Sequence, residues 1–212
     1  MKIYIFYVLM FIITITSCIG QSIKKPVPRS LCQDEIKQLL FSDTLEKSTT
    51  IVGAFKLTDG TELERSNDKS FYYLQMRHPE HPYRTNYMFF KKSLQLKAEN
   101  YYFYDAIVSQ KIYNEQGKLI YKKNFNTDYA FSIQNLIDKM QTEYQIDLLH
   151  PVKVLYINVE RGFDTVKVHP FSRYYLISYS TTTTRDSGIR EILLEGNSGK
   201  VISDAMSRIL TD

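Results

Sequence analysis

The amino-acid sequence predicts an α+β fold that is rich in antiparallel β-strands and contains two amphipathic helices. Two segments repeat apolar residues at helical spacing, and extended segments separated by turn residues follow each of them. The composition agrees, because 17 of the 212 residues are Tyr and 12 are Phe, and both residue types favour strands. The order helix, strands, helix, strands is compatible with two related subdomains, each a helix followed by a meander.

The first 17 residues have the organisation of a signal peptide. Lys2 precedes an uncharged apolar run from Ile3 to Ile15, as is typical of export signals. The run is shorter than the about 20 apolar residues that a membrane-spanning helix needs. We therefore expect residues 1–17 to direct export, and a membrane span from Met1 to Ile19 is the alternative.

The stretch Ile15-Thr16-Ser17-Cys18 resembles the lipobox of bacterial lipoproteins. The resemblance implies cleavage after Ser17, diacylglycerol on the Cys18 sulfur and acylation of the new amine, and two or more acyl chains hold a protein stably on a membrane. The expected location is the cell envelope, with the domain facing the periplasm and the outer membrane favoured over the inner. Ordinary secretion after cleavage at Gly20 is the alternative.

A tether and a first helix are expected after the lipidation site. Residues 18–29 contain the run Lys24-Lys25-Pro26-Val27-Pro28, in which proline opposes helix formation and favours an extended spacer. Ser30 and Gln33 then form a capping-box pair ahead of apolar residues at helical spacing. The first amphipathic helix is expected from Ser30 to Phe41.

Most of the N-terminal region, 30–126, is expected to form strands where Tyr, Phe and β-branched residues cluster between turn residues. Asp59-Gly60 and Asn114-Glu115-Gln116-Gly117 are the clearest turns. The predicted strands are Thr50–Leu57, Phe71–Arg77, Tyr87–Lys92, Tyr101–Tyr113 and Leu119–Phe125.

The C-terminal region, 127–212, is expected to begin with a helix that starts at Ser132. One face of this helix is apolar, which predicts that it packs on a sheet; its residues are Ile133, Leu136, Ile137, Met140 and Tyr144. The elements predicted after it are strands at Val152–Val159, Tyr174–Thr182, Ile189–Leu194 and Lys200–Ser203, a turn over Gly196–Gly199, and a short helix over Asp204–Leu210.

The C-terminal region also resembles PepSY-like domains, which open with an amphipathic helix, continue with antiparallel strands and close with a short polar turn. The matching residues are Ile133–Tyr144, Tyr174–Tyr179, Ile189–Leu194 and Asn197–Val201. The resemblance covers less than half of the chain. It implies a role in binding or inhibition in the cell envelope.

No catalytic, cofactor or metal site is predicted from the sequence. His78, Glu80 and His81 are the closest approach to a metal-ligand cluster, but both histidines precede proline, which excludes a shared helix face. Gly196-Asn197-Ser198-Gly199-Lys200 lacks the spacing of a phosphate loop. Glu191 and Glu195 would lie about 13 Å apart on one strand, too far for the paired carboxylates of glycoside hydrolysis.

Two further features bear on partners. The formal net charge of +4 is small for this length and argues against a nucleic-acid surface. Tyr87–Lys92 and Tyr121–Phe125 interleave aromatic residues with lysine, and we interpret both as strand edges that lysine protects from aggregation. Contact with an acidic protein or a glycan is the alternative. Cys32 is expected to be an unpaired, buried small residue on a helix, and a reactive thiol is the alternative.

These observations favour a non-enzymatic envelope lipoprotein that binds a protein partner, with inhibition of that partner as the immunity-like form of the role. The absence of catalytic signatures and the abundance of tyrosine support this interpretation. An unrecognised hydrolase of envelope polymers and a glycan-binding accessory lipoprotein are the alternatives.

Replacement of Cys18 by Ala tests the lipid anchor. We expect the substitution to remove the lipid mass from the protein and to move the protein out of the membrane fraction, because the sulfur is the attachment point. Intact-mass spectrometry and membrane fractionation measure both effects, and Cys32→Ala is the control that keeps both. An unchanged mass and unchanged fractionation of Cys18→Ala would exclude lipidation.

Overall fold

The computed structural model describes Gln38 and residues 53–151, 154–163, 173–181 and 188–208. These residues form two antiparallel sheets and one complete α-helix. The predicted α+β fold with two amphipathic helices was therefore wrong, since this part of the chain is mainly antiparallel β-structure to which a single helix is added. The predicted helix Ser30–Phe41 lies outside the described residues, except for Gln38, which has helical conformation.

Seven strands form the large sheet, and each pairs antiparallel with the strand that precedes it in the sequence. Such a meander needs only short connections, because antiparallel neighbours are joined by hairpins. The strands are β1 (Gly53–Lys56), β2 (Glu62–Asn67), β3 (Phe71–Arg77), β4 (Tyr83–Phe90), β5 (Leu96–Phe103), β6 (Ala106–Tyr113) and β7 (Leu119–Asn124).

A helix connects the large sheet to the small sheet. A 3-10 turn, Phe125–Asp128, precedes the helix α1, Ile133–Glu143. Ser132 caps α1 as predicted: its hydroxyl accepts a hydrogen bond from the Asn135 amide at 3.1 Å, and the Asn135 side-chain oxygen accepts one from the Ser132 amide at 3.0 Å. Among the described ranges, no helix has both the length and the apolar character that crossing a membrane requires.

The small sheet is a second antiparallel meander, with the spatial order β11-β10-β9-β8. Apolar residues on one of its faces pack against α1 and form the main core of the molecule, in which Leu136, Met140, Ile177 and Ile192 are completely buried. The strands are β8 (Val154–Phe163), β9 (Arg173–Thr181), β10 (Gly188–Glu195) and β11 (Val201–Arg208).

The large sheet has one buried face and one open face. Leu63, Leu74, Met76, Tyr87 and Phe89 form a second buried cluster on the buried face. Side chains alternate between the two faces of a strand, so the residues between them project from the opposite side. That opposite side, the open face, is partly exposed to solvent. It carries the polar residues Gln75 and Asn86, and it also carries an aromatic pair, Phe71 and Phe90.

Three features of the strands differ from the prediction. The predicted strand Tyr101–Tyr113 is two strands, because Tyr104 has a positive φ of 51° and begins a turn between β5 and β6. Strand β2 was missed because its sequence, ELERSN, is mostly polar. A helix was predicted over Asp204–Leu210, but Asp204–Arg208 belongs to strand β11, so the prediction was wrong for these residues. Asp204 instead forms an ion pair with Arg190 on β10 at 2.7 Å.

The predicted division of the chain near residue 126 lies close to the end of the large sheet at Asn124. One core nevertheless draws on both regions, because Phe103, Ala106 and Val108 of the large sheet belong to the same buried cluster as α1 and the small sheet. The two-region division therefore stays a prediction.

Substitution of Gly199 tests the packing of the β10–β11 turn. Gly199 has a φ of 68°, and a Cβ there would overlap the Phe131 ring; Gly117 has a φ of 76°, but its Cβ would meet only the end of the Gln95 side chain, at 3.3 Å. Alanine at either position costs about 1 to 2 kcal/mol for the left-handed backbone, and overpacking adds about 1 to 3 kcal/mol at Gly199 alone.

We therefore expect Gly199→Ala to lower the free energy of unfolding by more than the control Gly117→Ala. Urea denaturation of the purified proteins measures both values. Equal losses would show that Phe131 does not pack against the turn.

Candidate functional site

Three of the five exposed large apolar side chains of the described structure are consecutive on β7. Leu119 is 44% exposed, Ile120 58% and Tyr121 41%. Strand β7 is the last strand of the large sheet, so its outer edge pairs with no described strand. Leu119, Ile120, Tyr121 and the adjacent Lys122 are called the β7 patch below. An open strand edge with exposed apolar residues is a candidate interaction surface.

An irregularity in strand pairing explains the exposure of Ile120. On β6, Ile112 pairs with Tyr121 and Tyr113 pairs with Leu119, so the register shifts between the two pairs. Ile120 is thus the extra residue of a bulge, and a bulged residue is left out of the regular ladder. The bulge presents its side chain to solvent at the middle of the β7 patch.

Lysine side chains lie within the β7 patch and next to it. The Lys123 ammonium lies 2.7 Å from Asp128 Oδ2, and this hydrogen bond lowers the pKa of Asp128. Lys122 lies opposite Lys111, whose ammonium is 2.9 Å from Glu99. Lys122 itself forms no ion pair within the described part of the chain, so its charge is available to a partner.

The two segments that interleave aromatic residues with lysine have different positions. Tyr121–Phe125 includes the outer strand β7, so the predicted edge position is confirmed there, while protection of that edge by lysine stays a prediction. The same prediction for Tyr87–Lys92 was wrong, because β4 lies between β3 and β5 and both Tyr87 and Phe89 are buried.

A row of polar side chains crosses the open face at right angles to the strands. Neighbouring strands are about 4.8 Å apart, so a row over six strands is about 24 Å long. This row is called the amide row, because four of its members are Asn or Gln. In order of cross-strand pairing it contains Glu64, Gln75, Asn86, Asn100, Gln110 and Lys123.

Two adjoining hollows lie on the open face over strands β1 to β4. The larger has a volume of about 410 Å³ and the smaller about 210 Å³. Their linings share Glu64 and Gln75, so the two hollows meet at one end of the amide row. The other polar residues that line them are Lys56, Glu62, Ser66, Tyr73, Arg77 and Asn86.

Two polar atoms at the centre of the open face are buried without a hydrogen-bond partner in the described structure. They are Asn86 Oδ1 and Arg84 Nε, from residues that point to the same side of β4. The remainder of the Arg84 guanidinium is engaged, since it forms an ion pair with Asp105 and lies 4.8 Å from the centre of the Tyr102 ring. Buried polar atoms are nearly always paired with protein, water or ligand, so this face retains hydrogen-bonding capacity.

The histidines weighed as metal ligands lie in the turn between β3 and β4. The rings of His78 and His81 are 5.1 Å apart. The His78 Nδ1 atom accepts a hydrogen bond from the Glu80 amide at 3.3 Å, which leaves Nε2 to donate to the Asp59 carbonyl at 3.1 Å. Both ring nitrogens of His78 are thus occupied. Within the described ranges, no group of three or more His, Cys, Asp or Glu residues is placed to hold a metal.

Glu191 and Glu195 share one face of β10, as the sequence predicted. They pair with Ser178 and Tyr174 of β9, and Ile192 and Leu194, which alternate with them, are buried in the core. Glu195 accepts a hydrogen bond from the Ser198 hydroxyl. These carboxylates therefore lie on the solvent side of the small sheet, and neither lines the two hollows of the open face.

The predicted lipidation site Cys18, the signal peptide 1–17, the tether 18–29 and Cys32 lie outside the described residues. No family model, no curated protein and no solved structure matches this chain. The resemblances to a lipobox and to PepSY-like domains therefore stay predictions.

The turn that holds His78 and His81 predicts a pH dependence of stability. Partial burial, and then the nearby His78, lowers the pKa of His81 below its ordinary value, while Glu80 acts in the opposite direction and His150 adds a smaller lowering effect. A histidine whose pKa is lowered by folding binds protons less well in the folded state. Protonation of His81 therefore does not change the free energy of unfolding above about pH 6.5, which is the pKa of histidine in the unfolded chain. As the pH falls through that value, the unfolded state binds the proton more readily, so the folded state is destabilised.

We expect the free energy of unfolding to fall between pH 7.5 and pH 5 by less in His81→Gln than in the unmodified protein. Urea denaturation at each pH measures this slope, and the value at pH 7.5 corrects for any loss of packing. Parallel pH profiles of the two proteins would contradict the assignment.

Proposed function

We propose that this chain is a non-enzymatic binding protein that holds an extended segment of a protein partner against the β7 edge. The observation that carries the proposal is the exposure of Leu119, Ile120 and Tyr121 on the outermost strand of a seven-stranded sheet. A peptide that adds a strand to such an edge gains main-chain hydrogen bonds, and the alternate side chains of the edge strand give specificity.

The partner segment is expected to combine acidic and apolar residues. Tyr121 and Lys123 project to the open face, and Lys122 projects to the opposite face, because successive residues of a strand alternate. An added strand would place one set of side chains beside Tyr121 and the other beside Lys122. Acidic residues next to Lys122 and apolar residues next to Tyr121 satisfy both positions.

A second copy of this chain fits the edge less well than an acidic partner. Antiparallel pairing of β7 with β7 of another molecule would bring Lys118, Lys122 and Lys123 of both copies to the same edge. Like charges opposite each other destabilise strand pairing, and lysine on an edge strand is a common protection against self-association. The same lysines attract an acidic segment, so they select between the two occupants.

We also propose that the protein acts in the cell envelope, held to a membrane by lipid on Cys18. The sequence Ile15–Cys18 supports the anchor, and the proline-containing tether 18–29 would let the domain stand away from the bilayer. If the partner protein needs the bound segment for its own activity, binding at the β7 edge would block that activity. The role would then be inhibitory, as in an immunity protein.

Photo-crosslinking in the source cells tests the partner and the edge together. The photoreactive residue p-benzoyl-phenylalanine replaces Ile120 in one variant and Met206 in the control. The control is closely matched, because Ile120 is 58% exposed and Met206 57% exposed, and both lie on outermost strands. We expect one discrete protein adduct at position 120 and none at position 206.

The charge of Lys122 provides the second part of this test. With the crosslinker at position 120, Lys122→Glu should reduce the adduct by about tenfold, because an exposed ion pair contributes up to about 1 kcal/mol and reversal also adds a repulsion. Lys122→Arg should retain the adduct. No adduct at position 120, equal adducts at positions 120 and 206, or an adduct that is indifferent to Lys122→Glu would reject the proposal.

A further inference from the structure

We propose that the open face of the large sheet is a binding site for a neutral, extended oligosaccharide, which lies along the amide row. This site is separate from the β7 patch and does not rest on the proposed protein partner. Three features of the open face support this site: the spacing of the row, the unused hydrogen-bonding groups within it, and the charge of the hollows at one end.

The geometry of the amide row suits a linear polymer that runs across the strands. Its members are direct cross-strand partners from β2 to β7, so they recur at the strand spacing of about 4.8 Å. A pyranose ring has about this length, so a linear sugar chain could offer one ring to each strand. An extended peptide repeats its side chains on one face at about 6.6 Å, which does not match the row.

The hydrogen-bonding groups of the row are only partly used within the protein. The Gln110 amide donates to Asn100 Oδ1 at 3.0 Å, which pairs two neighbours at one end. At the other end, Glu64 and Gln75 make no side-chain hydrogen bond to any residue in the described ranges. Asn86 lies in the row between Gln75 and Asn100, and its Oδ1 atom is buried without a hydrogen-bond partner in the described structure.

A hydroxyl-rich ligand is the chemical class that satisfies these groups. Asn86 Oδ1 needs a donor, whereas Arg84 Nε needs an acceptor, and the two residues are two positions apart on the same face of β4. A hydroxyl group is one donor and two acceptors. Adjacent sugar hydroxyls can therefore supply both, after small side-chain rotations or through a bridging water.

The charge of the hollows favours a neutral sugar over an anionic one. Lys56 and Arg77 are balanced by Glu62 and Glu64 along the same lining, and Arg77 Nε already lies 3.0 Å from Glu62. An anionic polymer would meet two carboxylates there without a surplus of positive charge. Aromatic surface is also present, because Tyr73 lines the smaller hollow and its hydroxyl is held by Asp68 at 2.6 Å.

The test is calorimetric titration of the full-length protein in a detergent without a sugar head group. The probes are cellobiose, cellotetraose and cellohexaose, and the corresponding chito-oligosaccharides. Oligogalacturonate is the anionic comparison, and a Gly-Ser peptide is the polypeptide comparison. We expect affinity for at least one neutral series to rise with chain length, because the row offers successive contacts over about 24 Å.

Variants connect the binding to the amide row. Gln75→Ala and Asn86→Ala should each weaken the neutral oligosaccharide by about tenfold, the loss expected for one ligand hydrogen bond. Asn158→Ala is the control, because it removes an amide from the small sheet; its affinity should be unchanged. Lys122→Glu should also leave the affinity unchanged, which separates this site from the β7 patch. Thermal unfolding of each variant confirms that it is folded.

The proposal is overturned if neither neutral series binds, or if Gln75→Ala and Asn86→Ala, both folded, bind as tightly as the unmodified protein. Preferential binding of oligogalacturonate or of the peptide through the same residues would also overturn it. In those cases the open face would serve an anionic polymer or a polypeptide instead.

Discussion

The contacts of Arg161 of β8 with the start of β6 and with the 3-10 turn hold the two sheets together. Arg161 Nε donates to the Ile107 carbonyl at 2.7 Å, and Nη2 donates to Asn126 Oδ1 at 2.8 Å. The Asp105 amide adds a main-chain bond to the Val159 carbonyl at 3.0 Å. Hydrogen bonds from a charged group contribute about 1.5 to 3 kcal/mol each. This junction brings Phe103 into the core under α1, so the end of one sheet completes the core of the other.

The same junction explains why β7, and not β8, offers an accessible edge. The turn after β5 covers the outer side of β8 at Val159, whereas the chain leaves β7 through the 3-10 turn toward α1. The ion pair between Lys123 and Asp128 ties the end of β7 to that turn. The rest of the edge keeps the free main-chain groups that any outermost strand carries. Its lysines then make the exposure of three apolar residues compatible with a monomeric protein.

The sequence located local features well and long-range features poorly. Ser132 and the apolar spacing after it predicted α1 correctly, since a helix cap and a helical period are set by nearby residues. Strand β2 was missed because Leu63 is the one apolar residue within ELERSN, and the other buried position is held by the charged Arg65. The amide row could not be found from the sequence, because each of its residues lies on a different strand and only the strand register brings them into line. The predicted α+β class failed because the meander continues through seven strands, a number that local patterns do not fix.

The two proposed surfaces are connected by the alternation of side chains on β7. Lys123 ends the amide row on the open face, whereas Lys122 projects to the opposite face, so adjacent residues serve different surfaces. A strand added to the β7 edge would become the next strand of the sheet, and one of its side chains would stand in line with Lys123. The added strand would therefore lengthen the open face by about 4.8 Å. A partner with a polar residue at that position would extend the row of hydrogen-bonding groups, so protein binding at the edge would favour longer oligosaccharides on the face. By thermodynamic linkage, a long oligosaccharide would strengthen the binding of that partner by the same factor.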